Sequence, residues 1–217
     1  MKRYVLIMCM LLQISCMAQK KEIISKSTIK LEGKNTDIRA LLDIDGFYQS
    51  IDSPSSFMMF FEDETFVTGG FIEKSTEKMR QKNFAQSVEI WREKGQERWG
   101  YYWGVYKIEK DTLIVHSFRK ALSFNDNWSF DERRYEIIDR QTLKLIYMKS
   151  LLKSNEQYYR YESPYKVTER NIIDKFVHAD SLPSSDCWLK EEKWIWRNES
   201  DWKEYMEKIK NKRRKKK

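Results

Sequence analysis

Over most of the chain, apolar residues fall in short runs or alternate with polar ones, the period of strands rather than of helices. Such runs occupy residues 46–51, 57–61, 65–71, 99–108, 112–118, 133–138, 142–148 and 157–161, with shorter candidates at 166–168 and 176–178. Residues 37–42 read as a single helical turn, with Thr36 or Asp37 as its cap. Between the third and fourth runs, residues 73–97 are polar, and Phe84, Val88, Ile90 and Trp91 fit neither one helical face nor clean alternation. Successive strands joined by short loops predict a mainly β chain. The expected architecture is an up-and-down antiparallel barrel of about eight strands with a C-terminal helix.

Two hairpins can be registered from their side-chain pattern. A two-residue Lys110-Asp111 loop pairs Ile108 with Leu113 and Tyr106 with Val115, and continues the same face to Gly104 and Ser117. Lys107 and His116 then face outward. A three-residue Asp139-Arg140-Gln141 loop pairs Ile138 with Thr142 and Ile137 with Leu143. It collects Tyr135, Ile137, Leu143, Leu145 and Tyr147 on one face, whereas a one-residue slip would place Arg134 and Glu136 among them. The 57–61 run is apolar on both faces, so the hairpin around Asp63 and Glu64 has no readable register.

The two ends carry different signals. Lys2 and Arg3 precede an apolar stretch over residues 4–14, too short to span a bilayer as a helix and suited to an export signal. Two processing routes fit. Small residues at Cys16 and Ala18 suit cleavage before Gln19, and Ser15-Cys16 resembles a lipobox in which Cys16 becomes a lipidated N-terminus. At the other end, Trp188, Trp194, Trp196 and Trp202 make up half of the 8 Trp. Trp194 and Trp196 alternate around Ile195 as in a strand. Trp202, Tyr205, Met206 and Ile209 then recur at helical spacing, most simply as a packing face.

Composition narrows the function classes. With 41% hydrophobic, 14% aromatic and 34% charged residues in 217, the chain suits one globular domain. The net charge of +8 is mostly terminal: Lys2 and Arg3 lie in the leader, and eight cations lie between Lys208 and Lys217. The body is near neutral, which excludes the basic face of a nucleic-acid binder. The basic end suits a solvated tail or electrostatic contact with an anionic membrane or glycan surface. Beyond the processed region only Cys187 remains of the 3 Cys, so no intramolecular disulfide is expected and Cys187 reads as a buried thiol.

These features resemble the lipocalin-like barrels of the calycin group. The resemblance rests on the helical turn, on Asp45-Gly46-Phe47-Tyr48 opening the first strand, on the hairpin succession and on the C-terminal helix. The stretch Phe61-Glu62-Asp63-Glu64-Thr65-Phe66 is similar to the second hairpin of small exported bacterial proteins of this type, with Glu64 in place of a turn Gly. Tyr48 stands where lipocalins carry Trp, and Lys166 and Arg170 are candidates for the basic partner of that aromatic. The resemblance covers residues 37–178, and with the terminal signals read above it completes an expected domain plan. Residues 1–18 form the signal, 19–36 a polar tether, 37–199 the barrel with its Trp-rich extension, 200–211 an amphipathic helix and 212–217 a basic tail.

Candidate chemistry is sparse. No Gly-x-Ser-x-Gly, His-Glu-x-x-His or phosphate-cradling Gly loop occurs, and His116 and His178 are the only imidazoles. Asp43 and Asp45 suit turn and cap roles. No cofactor, metal or catalysis is expected. The resemblance implies a binder of a small apolar or amphipathic ligand, lined by Tyr48, Tyr106, Val115, Ser117, Tyr135, Leu145, Tyr147 and Tyr159. The alternative is a cell-envelope interaction module acting through the Trp-rich segment and basic tail. Either is expected to be exported: periplasmic, outer-membrane-associated or secreted, in a Gram-negative envelope. Asp180-Ser181-Leu182 resembles an O-glycan acceptor, with Ser181 as the modified residue.

Overall fold

In a computed structural model the chain is described over residues 18–51, 56–70, 101–119, 128–152 and 172–215. Eight antiparallel strands close into an up-and-down barrel in sequence order. They are β1 (Gly46–Ser50), β2 (Ser56–Phe60), β3 (Thr65–Gly70), β4 (Tyr101–Glu109), β5 (Thr112–Arg119), β6 (Ser129–Asp139), β7 (Thr142–Ser150) and β8 (Ile173–His178). The eighth strand is thus supplied by the short apolar run near residue 176. The 157–161, 166–168 and 73–97 segments lie outside the described residues.

The barrel has two unlike ends. One is closed by the tight β2–β3, β4–β5 and β6–β7 turns and by the 3-10 turn Ile38–Ala40. Connections at the other end run through residues 51–55, 71–100, 120–128 and 151–172, mostly outside the described residues. At the closed end Glu64 and Lys110 sit at φ 65° and 58°, the left-handed region that non-glycine residues enter at a cost. The turn at Glu64 is held by Asp63, whose Oδ1 accepts from the Thr65 backbone N–H and hydroxyl.

The β4–β5 register is the expected one, with Ile108 opposite Leu113, Tyr106 opposite Val115 and Gly104 opposite Ser117. In the β6–β7 hairpin Ile137 does face Leu143, but Thr142 faces Asp139 rather than Ile138. Asp139 accepts from the Gln141 N–H at 2.7 Å and the Thr142 hydroxyl at 2.9 Å, which tightens the loop to two residues and bulges Ile138 outward. A second irregularity follows Leu145, where Tyr135 pairs Leu145 but Arg134 pairs Tyr147. The extra residue reverses the alternation, so Met148, not Tyr147, joins the inner cluster. Tyr147 instead lies under the Arg134 guanidinium, 5.1 Å from its ring centroid, on the outer face.

Two apolar cores result. The inner one holds Ile38, Leu42 and Ile44 from the capping turn against Tyr48, Phe60, Phe66, Tyr106, Leu113, Tyr135 and Leu143. Gly104 is required there, because a Cβ would stand 2.2 Å from both the Phe66 ring and the His116 carbonyl oxygen. The second core lies on the outside of the barrel, where Phe57, Met59, Val67, Trp103, Phe118 and Phe130 are covered by both chain ends. This explains why the 57–61 run is apolar on both faces: both faces are buried.

The chain ends form that cover. Helix α1, described over residues 18–26, buries Ile23 fully, and Ile29 and Leu31 follow at 4% and 1% exposure. Residues 19–36, expected as a polar tether, therefore pack onto the barrel through their few apolar side chains. The Trp-rich segment is not a strand. It forms two 3-10 turns, Trp188–Glu191 and Lys193–Ile195, and touches Leu31 through a single parallel bridge at Trp196. Its aromatics pack edge-on, Trp194 on Phe118 at 5.4 Å and Trp188 on Trp128 at 6.1 Å. The chain ends in α2 (Glu199–Lys215), which runs past residue 211 into the stretch expected as a basic tail. Lys212 and Arg213 pair there with Asp186 and Glu191, so acids from another segment offset the like charges.

Candidate functional site

Alternation along each strand divides the barrel interior into two layers. The lower layer, next to the capping turn, is filled. Tyr48, Tyr106 and Tyr135 are 1–2% exposed, and Val115 is fully buried. Each of the first two tyrosines finds a backbone acceptor. The Tyr48 hydroxyl donates to the Arg140 carbonyl at 2.6 Å, and the Tyr106 hydroxyl donates to the Phe61 carbonyl at 2.6 Å. Burial raises the pKa of all three phenols, that of Tyr135 to about 12, so they remain neutral at physiological pH. Ion pairs clasp the rim outside: Arg39 holds Asp45 and Glu62, and Arg140 holds Asp43, which also accepts from Gln141.

The upper layer, toward the end with the long connections, is polar. Ser117 and Arg119 on β5, Asp131 and Arg133 on β6, Ser150 on β7 and Asp174 on β8 continue the inward-facing alternation. Ser117, Asp131 and Ser150 stand side by side across three strands, and Asp174 lies beside Ser50 of β1. All four of Ser117, Asp131, Ser150 and Asp174 are buried. The Ser129 hydroxyl bonds to Asp131 Oδ2 at 3.0 Å. Arg133 hydrogen-bonds Tyr135 and lies close enough to Asp174 to favour its anion. Burial outweighs that attraction and pushes the Asp174 carboxyl up to about 6. The belt thus joins two guanidiniums, two carboxyls and several hydroxyls inside a barrel whose lower half is apolar.

Of the residues expected to line a site, Tyr48, Tyr106, Val115, Tyr135 and Leu145 lie on the inner face of the lower layer. Ser117 belongs to the polar belt. Tyr147 is displaced to the outer face by the β7 irregularity, and Tyr159 lies outside the described residues, as do Cys16, Lys166 and Arg170. Sequence reasoning missed Arg119, Asp131, Arg133, Ser150 and Asp174. Arg133 carried a readable signal, since it is two residues from Tyr135 on the same strand.

Other chemistry lies away from the belt. His116 is buried on the outer face, where its Nε2 lies 3.2 Å from Glu132 Oε2, and burial lowers its pKa. His178 ends β8 at the closed rim. Cys187 is buried in the outer core, beneath the cover. Ser181 is exposed. Among the described residues no group of three His, Cys, Asp or Glu is placed to hold a metal, and no helix is long and apolar enough to cross a membrane. No known family, curated protein or solved structure matches this chain.

Proposed function

We propose that this chain is an exported, lipocalin-like binding protein whose barrel takes a small amphipathic ligand through the end opposite the capping turn. The observation that carries the reading is the inward-facing belt of Ser117, Arg119, Asp131, Arg133, Ser150 and Asp174. A barrel filled for stability alone favours apolar side chains there, because even a partnered buried charge is often no more stabilising than well-packed apolar residues. In this reading the ligand's polar head meets the belt and its apolar part lies against Met58, Val115 and Met148 on the inner face. The tyrosines of the lower layer act as the packed floor rather than as contacts. We assign binding rather than catalysis, since both imidazoles lie away from Ser117 and Ser150 and neither can activate them as a nucleophile.

Export is part of the proposal. Processing before Gln19 keeps the contacts that fix α1, among them the Gln19 side-chain oxygen on the Trp128 N–H and Lys20 on Glu192. Native mass spectrometry of protein purified from an exporting Gram-negative host tests both parts. The expected spectrum shows a chain beginning at Gln19, or at lipidated Cys16, with a retained small molecule. A full-length soluble chain counts against export, and a ligand-free chain that takes up no amphipathic probe counts against binding.

A further inference from the structure

The cations of α2 divide into two sets. Lys212 reaches Asp186 at 2.7 Å and Arg213 reaches Glu191 at 2.6 Å. Together with Trp202, whose Nε1 donates to the Glu191 carbonyl at 3.1 Å, and with Tyr205 packed 5.5 Å from Trp196, they fix the helix to the barrel's cover. Lys208, Lys210, Arg214 and Lys215 are exposed and form no ion pair with described residues. Beside them runs a groove of about 560 Å³ along the helix, floored by Trp202, Met206 and Ile209 and edged by Lys203, Lys210 and Arg214. Glu207 is the one acid in its lining.

An apolar floor edged by cations matches an anionic interface, where lysine and arginine stems lie along apolar surface and their heads reach phosphate. The position of the helix fits the same occupant. Lys20 of α1 pairs with Glu192, the neighbour of the Glu191 that takes Arg213. α1, which opens the described chain, therefore lies on the side that carries α2. A lipidated Cys16 held in a membrane would bring the groove to the bilayer surface, a step that rests on the lipoprotein route of the export reading.

We propose that this face of α2 docks on an anionic phospholipid bilayer, with Lys210 and Arg214 on headgroups and Met206 and Trp202 at the acyl boundary. The test is hydrogen–deuterium exchange on the whole chain with vesicles of phosphatidylcholine alone or mixed equally with phosphatidylglycerol. Exchange over residues 203–214 reports this face locally, whatever the N-terminus does. The expected result is slowed exchange there with the mixed vesicles only, reversed by high salt. Lys210→Glu/Arg214→Glu leaves the anchoring pairs of Lys212 and Arg213 intact and is expected to weaken vesicle partitioning more than tenfold, each cation being worth roughly fivefold near such a surface. Unchanged exchange with every vesicle, equal slowing on phosphatidylcholine alone, or full protection in the double variant would overturn the proposal. Slowing by an acidic polysaccharide but not by vesicles would overturn it too, assigning the face to glycans.

Discussion

The Tyr48 hydroxyl donates to the Arg140 carbonyl oxygen at 2.6 Å, joining the first strand to the β6–β7 turn. The same hydroxyl shares its proton with the Asp43 carbonyl oxygen at 3.1 Å, and the ring packs edge-on against Phe60 and Phe176. One phenol therefore ties three separate stretches at the closed end. Tyr48→Phe keeps the ring packing but removes the hydroxyl, while the Arg140 carbonyl keeps the Asp43 N–H at 2.9 Å. The expected loss is about 0.5–1.5 kcal/mol by denaturant titration, with the fold retained.

Gly104 tests whether the lower layer is filled. An alanine Cβ would meet a backbone oxygen that cannot turn aside, and the Phe66 ring besides. Gly104→Ala is expected to destabilise by roughly 2–3 kcal/mol. A change under about 0.5 kcal/mol would mean that the floor has room to give.

Asp174 gives stability a pH dependence. Its carboxyl titrates near 6 in the folded chain, above the unfolded value of 3.8, so the folded state holds the proton more tightly between those values. Its contribution is present below about pH 4 and is lost as pH rises through 6, on the order of 3 kcal/mol in all. The wild-type chain is expected to lose stability relative to Asp174→Asn across that window. Parallel curves of melting temperature against pH for the two proteins would remove Asp174 as the titrating group.

α2 separates an anchored part from an appendage. Trp202→Ala removes a half-buried indole and its bond to the Glu191 carbonyl, for an expected loss of about 1–3 kcal/mol. Deleting residues 212–217 removes two exposed ion pairs, each worth about 0–1 kcal/mol, so melting should shift little. A truncation that unfolds the protein would show that the basic end is part of the core.

The barrel was legible because strand period and hairpin register are local properties. Ile108 opposite Leu113 follows from two alternating runs and a two-residue loop. Bulges are not local in that sense. The Asp139 side chain that shortens the β6–β7 loop gives no hydrophobic signal, and the reversal after Leu145 leaves a plausible but wrong place for Tyr147. The cover was hidden for another reason. Ile23, Ile29 and Leu31 are isolated apolar residues in a polar stretch, and only the second apolar face of β2 and β3 reveals that something must lie over it. The belt was missed because Asp131 and Asp174 look like strand-end residues until the register turns them inward.

The central claim is that the interior above the tyrosine floor admits a ligand. Ser150 and Lys149 differ by one residue, and alternation sends the first inward and the second to solvent. The decisive measurement is titration of an amphipathic naphthalene fluorophore into wild type, Ser150→Trp and Lys149→Trp, each shown folded by circular dichroism. The account predicts saturable binding by wild type and Lys149→Trp, lost in Ser150→Trp. Equal binding by all three, or by none, would contradict it.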